Sequence, residues 1–218
     1  MRQWQEVLTA ANLLSLSRIA AAPFLYALIV AGGRDGFILA AAIFALASLT
    51  DTLDGRLARR RRMVTPLGVY LDTTADKILV AVLLVALAVA RQAPGWMAAV
   101  IIAREFFVTG LRSYAAALGV VVPAGAWGKA KTLITIVAIL FVLLAGDARS
   151  GGIMSGLGWA RALLLTPLGP AALPTWLLLL AVVWTVGSGI EYIREAMPLM
   201  TRGARPAGRA AALSETVD

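Results

Sequence analysis

The chain has 218 residues, of which 60% are hydrophobic and 15% charged, and its formal net charge is +8 at pH 7. This composition is too apolar for a soluble domain of that length and predicts one polytopic membrane domain. The absence of Cys and His excludes zinc sites of the usual kind, disulfides, thiol nucleophiles and histidine general bases. We assign the positive charge to anionic lipids and phosphate-bearing substrates, not to nucleic acid, because the basic residues flank apolar segments.

Six apolar segments, each long enough to cross a hydrocarbon core of about 30 Å, predict an all-α fold with six transmembrane helices. Residues 1–11 precede them and predict a short interfacial helix. The predicted spans cover residues 12–30, 37–57, 69–90, 96–118, 129–145 and 173–197. Residues 150–174, rich in Gly, Leu and Pro, predict an extracytoplasmic loop that includes a short interfacial helix. Residues 1–201 form the membrane domain in this interpretation, and 202–218 form a mobile cytoplasmic tail.

The basic residues predict which side of the membrane each loop faces. Of the 20 Lys and Arg residues, fourteen lie in the terminal segments and around the loops after the second and fourth spans. The opposite loops contain four, and two more lie within spans. We expect the protein to lie in the cytoplasmic membrane. Because cytoplasmic loops are enriched in Lys and Arg, both termini and residues 51–76 should face the cytoplasm.

Residues 51–76 join the second and third predicted spans and contain four of the seven aspartates. At about 100° per residue, Asp51 and Asp54 share a helix face, and Asp72 and Asp76 lie one turn apart. Four carboxylates this close repel one another unless protons or cations intervene. Carboxylate oxygens suit Mg²⁺ or Mn²⁺, and two such ions about 3.5–4 Å apart support displacement at phosphorus. The alternative is that these aspartates cap helices and pair with neighbouring arginines.

The same stretch contains the pattern D-x-x-D-G-x-x-A-R, eight further residues, and G-x-x-x-D-x-x-x-D. Its fixed positions are Asp51, Asp54, Gly55, Ala58, Arg59, Gly68, Asp72 and Asp76. This pattern resembles the signature of the CDP-alcohol phosphotransferase family at every defined position. The resemblance implies that Asp51, Asp54 and Asp72 hold two divalent cations, Mg²⁺ or Mn²⁺. It also implies that Asp76 completes the metal site and acts as the general base, the catalytic role in this family.

The resemblance extends to the start of the first span, where NLLSLSRI is similar to the family's N-x-L-T-x-x-R. Ser15 replaces the commoner threonine and keeps a hydroxyl, and Ala11 stands where proline often precedes the asparagine. A nucleotide-binding side follows from this resemblance. Its implied residues are Asn12, Gly55, Ala58, Arg59 and Thr65.

A second basic group lies on the fourth and fifth spans. Arg104 and Arg112 are about two turns apart, and Lys129 and Lys131 open the next span. Arginine in an apolar span is costly and marks a functional candidate, so we predict an anion pocket formed by these four cations. Pairing of Arg104 with Glu105, and lysines that only set topology, are the alternatives.

The phrases IIAREFFVTGLR and AWGKAKT around these cations resemble those of bacterial phosphatidylglycerophosphate synthases within the family. That resemblance implies that the four cations bind the phosphate of glycerol 3-phosphate. The implied reaction transfers the phosphatidyl group of CDP-diacylglycerol to this acceptor, with release of CMP. A homodimer embedded in membrane lipids is also implied by the family.

Two other activities share the aspartate signature: phosphatidylinositol phosphate synthase and CDP-diacylglycerol-dependent cardiolipin synthase. A phosphorylated acceptor requires several cations, whereas phosphatidylglycerol requires room for a second lipid. The non-enzyme alternative is an ion-coupled transporter. Such a protein should show inverted repeats or broken helices in corresponding halves, and the sequence shows neither.

Overall fold

The computed structural model describes residues 10–61, 66–119 and 126–203, with side chains described except at 10–11, 51–61, 66–67, 69, 126, 128–129 and 199–203. In chain order, these ranges contain α1 (Ala10–Ala31), α2 (Gly36–Arg61), α3 (Pro66–Val89), α4 (Gly95–Ala117), α5 (Ala126–Arg149), α6 (Ile153–Gly156), α7 (Gly158–Leu165), β1 (Pro167–Leu168), β2 (Ala171–Ala172) and α8 (Leu173–Gly203). The two strands form one short antiparallel pair. The predicted all-α class is therefore confirmed.

The long helices α1 to α5 and α8 coincide with the six segments predicted from hydropathy. Among the residues that the structure describes, three helical segments are long and apolar enough to cross a membrane: Asn12–Ala31, Ala130–Arg149 and Leu173–Pro198. A shorter apolar segment, Gly36–Thr50, belongs to α2. Helices α3 and α4 have 24 and 23 residues, and each carries several charged side chains. Three candidate spans are thus supported by length and composition, and crossing by all six helices stays a prediction.

The helices pack into one bundle in which α5 contacts α8, α2 and α3. Helix α1 packs most extensively against α3 and also contacts α2, while α8 packs against α5 and α4. The core contains fully buried side chains from α1, α2, α3, α5 and α8, in that order Leu25, Phe44, Leu83, Ile139 and Leu178. Many large apolar side chains remain on the outer surface, as expected where hydrocarbon replaces water.

One end of the bundle gathers the loops that the sequence assigns to the extracytoplasmic side. Arg149 Nη1, at the end of α5, donates to Gln92 Oε1 after α3 at 2.7 Å. Asp147 is fully buried, and its Oδ2 accepts a hydrogen bond from the Met154 backbone N–H of α6 at 2.7 Å. The segment predicted as a loop with a short helix therefore contains α6, α7 and the strand pair, anchored to α5.

Two predictions about the ends of the chain lie largely outside the described residues. The interfacial helix was predicted for residues 1–11, of which only Ala10 and Ala11 are described, as the first turn of α1. Helix α8 extends to Gly203. Residues 204–218 of the predicted tail lie outside the described ranges.

Candidate active site

The aspartate signature is divided between two consecutive helices, as its spacing predicts. The last turns of α2 contain the backbone of Asp51, Asp54, Gly55, Ala58 and Arg59, whose side chains are outside the described part. The first turns of α3 contain Gly68, Asp72 and Asp76. Thr65 lies outside the described residues altogether. The proposed ligand and nucleotide roles of the α2 residues therefore stay predictions.

Helix α1 presents a buried polar face to the first turns of α3. Asn12, Ser15 and Arg18 are all buried, although α1 is otherwise mostly apolar. Arg18 Nη2 donates to Asp72 Oδ1 at 2.6 Å, and Ser15 Oγ lies 3.4 Å from the same oxygen. A guanidinium on one carboxylate oxygen fixes the orientation of Asp72. The sequence predicts no partner for Arg18, and its signals there are an arginine inside an apolar span and the last position of the N-x-L-T-x-x-R resemblance.

A cleft of about 280 Å³ lies between α3, α4, α5 and α8. Three of the four cations predicted to bind the acceptor phosphate line it: Arg104, Arg112 and Lys131. Asp76, the predicted general base, lines the same cleft. The side chain of Lys129 is outside the described part. The fold thus brings the predicted base and most of the predicted anion pocket together.

Arg104 is held by neighbours on its own helix and on α8. Its Nη1 donates to Glu105 Oε1 at 3.1 Å and its Nη2 to Ser188 Oγ at 3.0 Å. Gly189 leaves room for the guanidinium, because a Cβ there would lie 3.2 Å from Arg104 Nε. Within the described part of the chain, that Nε has no hydrogen-bond partner. Arg104 is therefore paired with Glu105 and also lines the cleft, and its role in an anion pocket stays a prediction.

Lys131 shares the Glu105 partner. Its Nζ donates to Glu105 Oε1, the oxygen that also accepts from Arg104. One carboxylate from α4 thus connects two of the predicted phosphate-binding cations, one on α4 and the other on α5. From the sequence alone, Glu105 is predicted only as a neighbour of Arg104.

Helix α8 contributes a wall of the cleft that the sequence analysis missed. Ser188, Glu191, Tyr192 and Glu195 line the cleft from positions that share one helix face. The Arg112 guanidinium lies 5.4 Å from the centroid of the Tyr192 ring, a cation–π distance. The Tyr192 hydroxyl is buried and has no partner among the described residues. The available signal was the repeat of polar residues at helical spacing near the end of the last span.

The described side chains of the cleft carry balanced charge. The cations are Lys77, Arg104, Arg112 and Lys131. The carboxylates are Asp76, Glu105, Glu191 and Glu195. The sequence predicts three of these cations, and it does not predict Lys77 or the two glutamates of α8. Because the two sets offset one another at long range, binding of a phosphate here depends mainly on direct hydrogen bonds to particular cations.

The oxygen donors near the start of α3 fit a hard divalent cation. Asp72 and Asp76 are one turn apart, and the Asp72 side chain keeps 51% of its surface exposed beside Arg18. In the part of the chain with described side chains, no group of three acidic residues is close enough to hold a metal ion. The other two predicted ligands, Asp51 and Asp54, are outside that part. The donor chemistry agrees with Mg²⁺ or Mn²⁺, and the complete ligand set stays a prediction.

Comparison with known proteins decides the family. The family model described as CDP-alcohol phosphatidyltransferase matches residues 8–187, from the start of α1 into α8. The chain belongs to the CDP-alcohol phosphatidyltransferase family. The family predicted from the aspartate signature is thus confirmed, and the protein is an enzyme of that family. All four α8 residues that line the cleft, Ser188, Glu191, Tyr192 and Glu195, lie beyond the matched range.

Individual members of the family share substantial identity with this chain. It is 41% identical over 145 residues to the CDP-diacylglycerol–glycerol-3-phosphate 3-phosphatidyltransferase of Bacillus subtilis, covering 61% of this chain and 75% of the relative. A probable phosphatidylglycerophosphate synthase of Mycobacterium tuberculosis is 41% identical over 161 residues, covering 72% and 75%. The CDP-diacylglycerol–glycerol-3-phosphate 3-phosphatidyltransferase of Pseudomonas fluorescens is 34% identical over 193 residues, covering 86% and 89%.

Proposed function

We propose that this family member transfers the phosphatidyl group of CDP-diacylglycerol to glycerol 3-phosphate, giving phosphatidylglycerophosphate and CMP. The observation that carries the proposal is the shared cleft, in which Asp76 lies with Arg104, Arg112 and Lys131. Relatives named for the same transfer reaction support it. At about 280 Å³, the cleft lies close to the lower limit of about 300 Å³ for small-molecule sites. Such a cleft suits a small phosphorylated alcohol better than a second phospholipid.

In the proposed reaction, Asp76 accepts the proton of the acceptor hydroxyl, and the chain has no histidine to do so. The acceptor oxygen forms a bond to the phosphorus that carries diacylglycerol. The bond from that phosphorus to the bridging oxygen breaks, and CMP leaves with this oxygen. Arg104, Arg112 and Lys131 hold the acceptor's own phosphate, which orients the hydroxyl for attack.

The aspartate carboxylates on α2 and α3 would hold two divalent cations, Mg²⁺ or Mn²⁺. When bound, the cations neutralise the pyrophosphate and stabilise the leaving oxygen. The proposed ligands are Asp51, Asp54, Asp72 and Asp76. Arg18 orients Asp72 within this group. The proposed nucleotide contacts are Asn12, Gly55, Ala58, Arg59 and Thr65, and Lys129 is the proposed fourth cation of the acceptor pocket.

The proposed setting is the cytoplasmic membrane, crossed by six helices, with the active site and both termini on the cytoplasmic side. The distribution of Lys and Arg supports this orientation. CDP-diacylglycerol keeps its acyl chains in the lipid while its headgroup reacts at the cytoplasmic boundary. Residues 1–201 form the enzyme domain in this proposal, residues 202–218 a tail, and the family resemblance implies a homodimer.

An acceptor comparison tests the proposed reaction. Purified protein receives CDP-diacylglycerol, a divalent cation and one radiolabelled acceptor: glycerol 3-phosphate, inositol phosphate or phosphatidylglycerol. We expect a lipid product and CMP with glycerol 3-phosphate, and full loss of activity in excess chelator. Turnover of either other acceptor, with none of glycerol 3-phosphate, would contradict the assignment. Full activity in chelator would contradict the metal-dependent part.

A further inference from the structure

The Glu105 carboxylate binds two of the cations that we assign to the acceptor phosphate. Its Oε1 accepts from Arg104 Nη1 at 3.1 Å and from Lys131 Nζ. The three side chains are only 14%, 18% and 12% exposed for Arg104, Glu105 and Lys131. Few water molecules can therefore replace these contacts. One internal carboxylate oxygen thus bridges both cations.

A phosphate cannot bind both cations in the same way while this carboxylate stays between them. Two anions on one pair of cations repel each other strongly at low solvent exposure. A phosphate monoester carries more charge and more acceptor oxygens than a carboxylate, so it can replace both hydrogen bonds at once. Lys77 lines the same cleft from α3 and offers the displaced carboxylate another cation.

We propose that Glu105 is an internal placeholder for the acceptor phosphate, released from Arg104 and Lys131 when the phosphate binds. This inference rests on the proposed function and deepens it, because it identifies a residue that sets acceptor affinity. While the cleft is empty, Glu105 prevents two poorly hydrated cations from being left unpaired. It also favours anionic acceptors, because a neutral alcohol cannot replace a carboxylate on two cations.

Neutralising Glu105 tests the placeholder role. Glu105→Gln keeps the size of the side chain and removes the competing charge, so we expect the KM for glycerol 3-phosphate to fall roughly tenfold. The KM for CDP-diacylglycerol should not change. Glu191→Gln is the matched control, since Glu191 lines the same cleft and makes no ion pair with any described residue. Its effect should be clearly smaller. An unchanged or raised acceptor KM in Glu105→Gln, or an equal fall in Glu191→Gln, would overturn the proposal.

Thermal unfolding with inorganic phosphate as the probe gives a second measurement that does not depend on turnover. We expect phosphate to stabilise both wild type and Glu105→Gln, with the variant responding at about tenfold lower phosphate concentration. A variant that folds only with phosphate present also supports the proposal. A weaker response than wild type, or no folding even with phosphate, would assign Glu105 a structural role instead. No stabilisation of either protein would contradict the anion pocket and hence the proposed acceptor.

Discussion

Gly189 determines how closely α8 approaches Arg104, and a single methyl group tests this. A Cβ at position 189 would lie 3.2 Å from Arg104 Nε and 3.4 Å from its Cγ. At Gly187, two residues earlier on the same helix, a Cβ would meet nothing within 4 Å. Glycine to alanine favours the helix by about 0.5–1 kcal/mol at either position. Only at position 189 does the change also displace a cation of the cleft.

The size of the kinetic effect follows from this geometry. A Cβ at 3.2 Å is closer than the 3.4–4 Å of ordinary contact, so the guanidinium must shift by a few tenths of an ångström. A misplacement of about 1 Å can cost about a hundredfold in rate. We therefore expect Gly189→Ala to lower kcat/KM for glycerol 3-phosphate by roughly two- to tenfold, with Gly187→Ala at the wild-type value.

The assay is steady-state turnover with saturating CDP-diacylglycerol and varied glycerol 3-phosphate, together with thermal unfolding of each variant. Gly187→Ala should be at least as stable as wild type, which controls for the helix effect. Wild-type acceptor kinetics in Gly189→Ala would refute the reasoning that Arg104 is positioned by this contact. Equal losses of kcat/KM in both variants would show that a change in helix α8 itself, and not the position of Arg104, causes the loss.

Three further predictions follow from the Arg18 contact, the Tyr192 ring and the distribution of Lys and Arg. Arg18→Ala should raise the divalent cation concentration for half-maximal activity about tenfold, because Asp72 loses a charged hydrogen bond. Arg18→Lys should recover only part of the lost cation affinity. An unchanged metal titration in Arg18→Ala would contradict this prediction. Tyr192→Phe should keep the wild-type unfolding midpoint and acceptor KM, since the hydroxyl has no described partner. Tyr192→Leu should raise the acceptor KM several-fold, because it removes the ring beneath Arg112. Equal acceptor KM values for the two variants would refute the role of the ring. In this cysteine-free chain, Ser150→Cys should react with an impermeant thiol reagent in intact cells and Arg205→Cys only in opened cells; the reverse pattern would invert the topology.

Helix positions were predictable because apolar runs of the length of a bilayer leave few alternatives to a helix. The helix ends were less well predicted. Helix α2 continues to Arg61, although the apolar run predicted an end near residue 57. Hydropathy detects the edge of the hydrocarbon layer, whereas the backbone can keep its helical hydrogen bonds beyond that edge.

The family and the outline of the site were predictable from local spacing, but its internal contacts were not. Arg18 and Asp72 are 54 positions apart in the chain, and Arg104 and Ser188 are 84 apart. Such pairs depend on which helix faces meet, and periodicity within one helix does not determine that. Glu105 illustrates the difference, because its bond to Lys131 also depends on how α4 packs near α5.

Acceptor kinetics of Lys131→Ala and Arg112→Ala test most directly whether this cleft binds the acceptor and not the nucleotide. A charged hydrogen bond is worth about 1.5–3 kcal/mol, so each variant should lose roughly ten- to a hundredfold in kcat/KM for glycerol 3-phosphate. Inhibition by CDP, measured in parallel on the same preparations, should keep its wild-type constant. Weaker inhibition by CDP with an unchanged KM for glycerol 3-phosphate would contradict the assignment of the cleft to the acceptor.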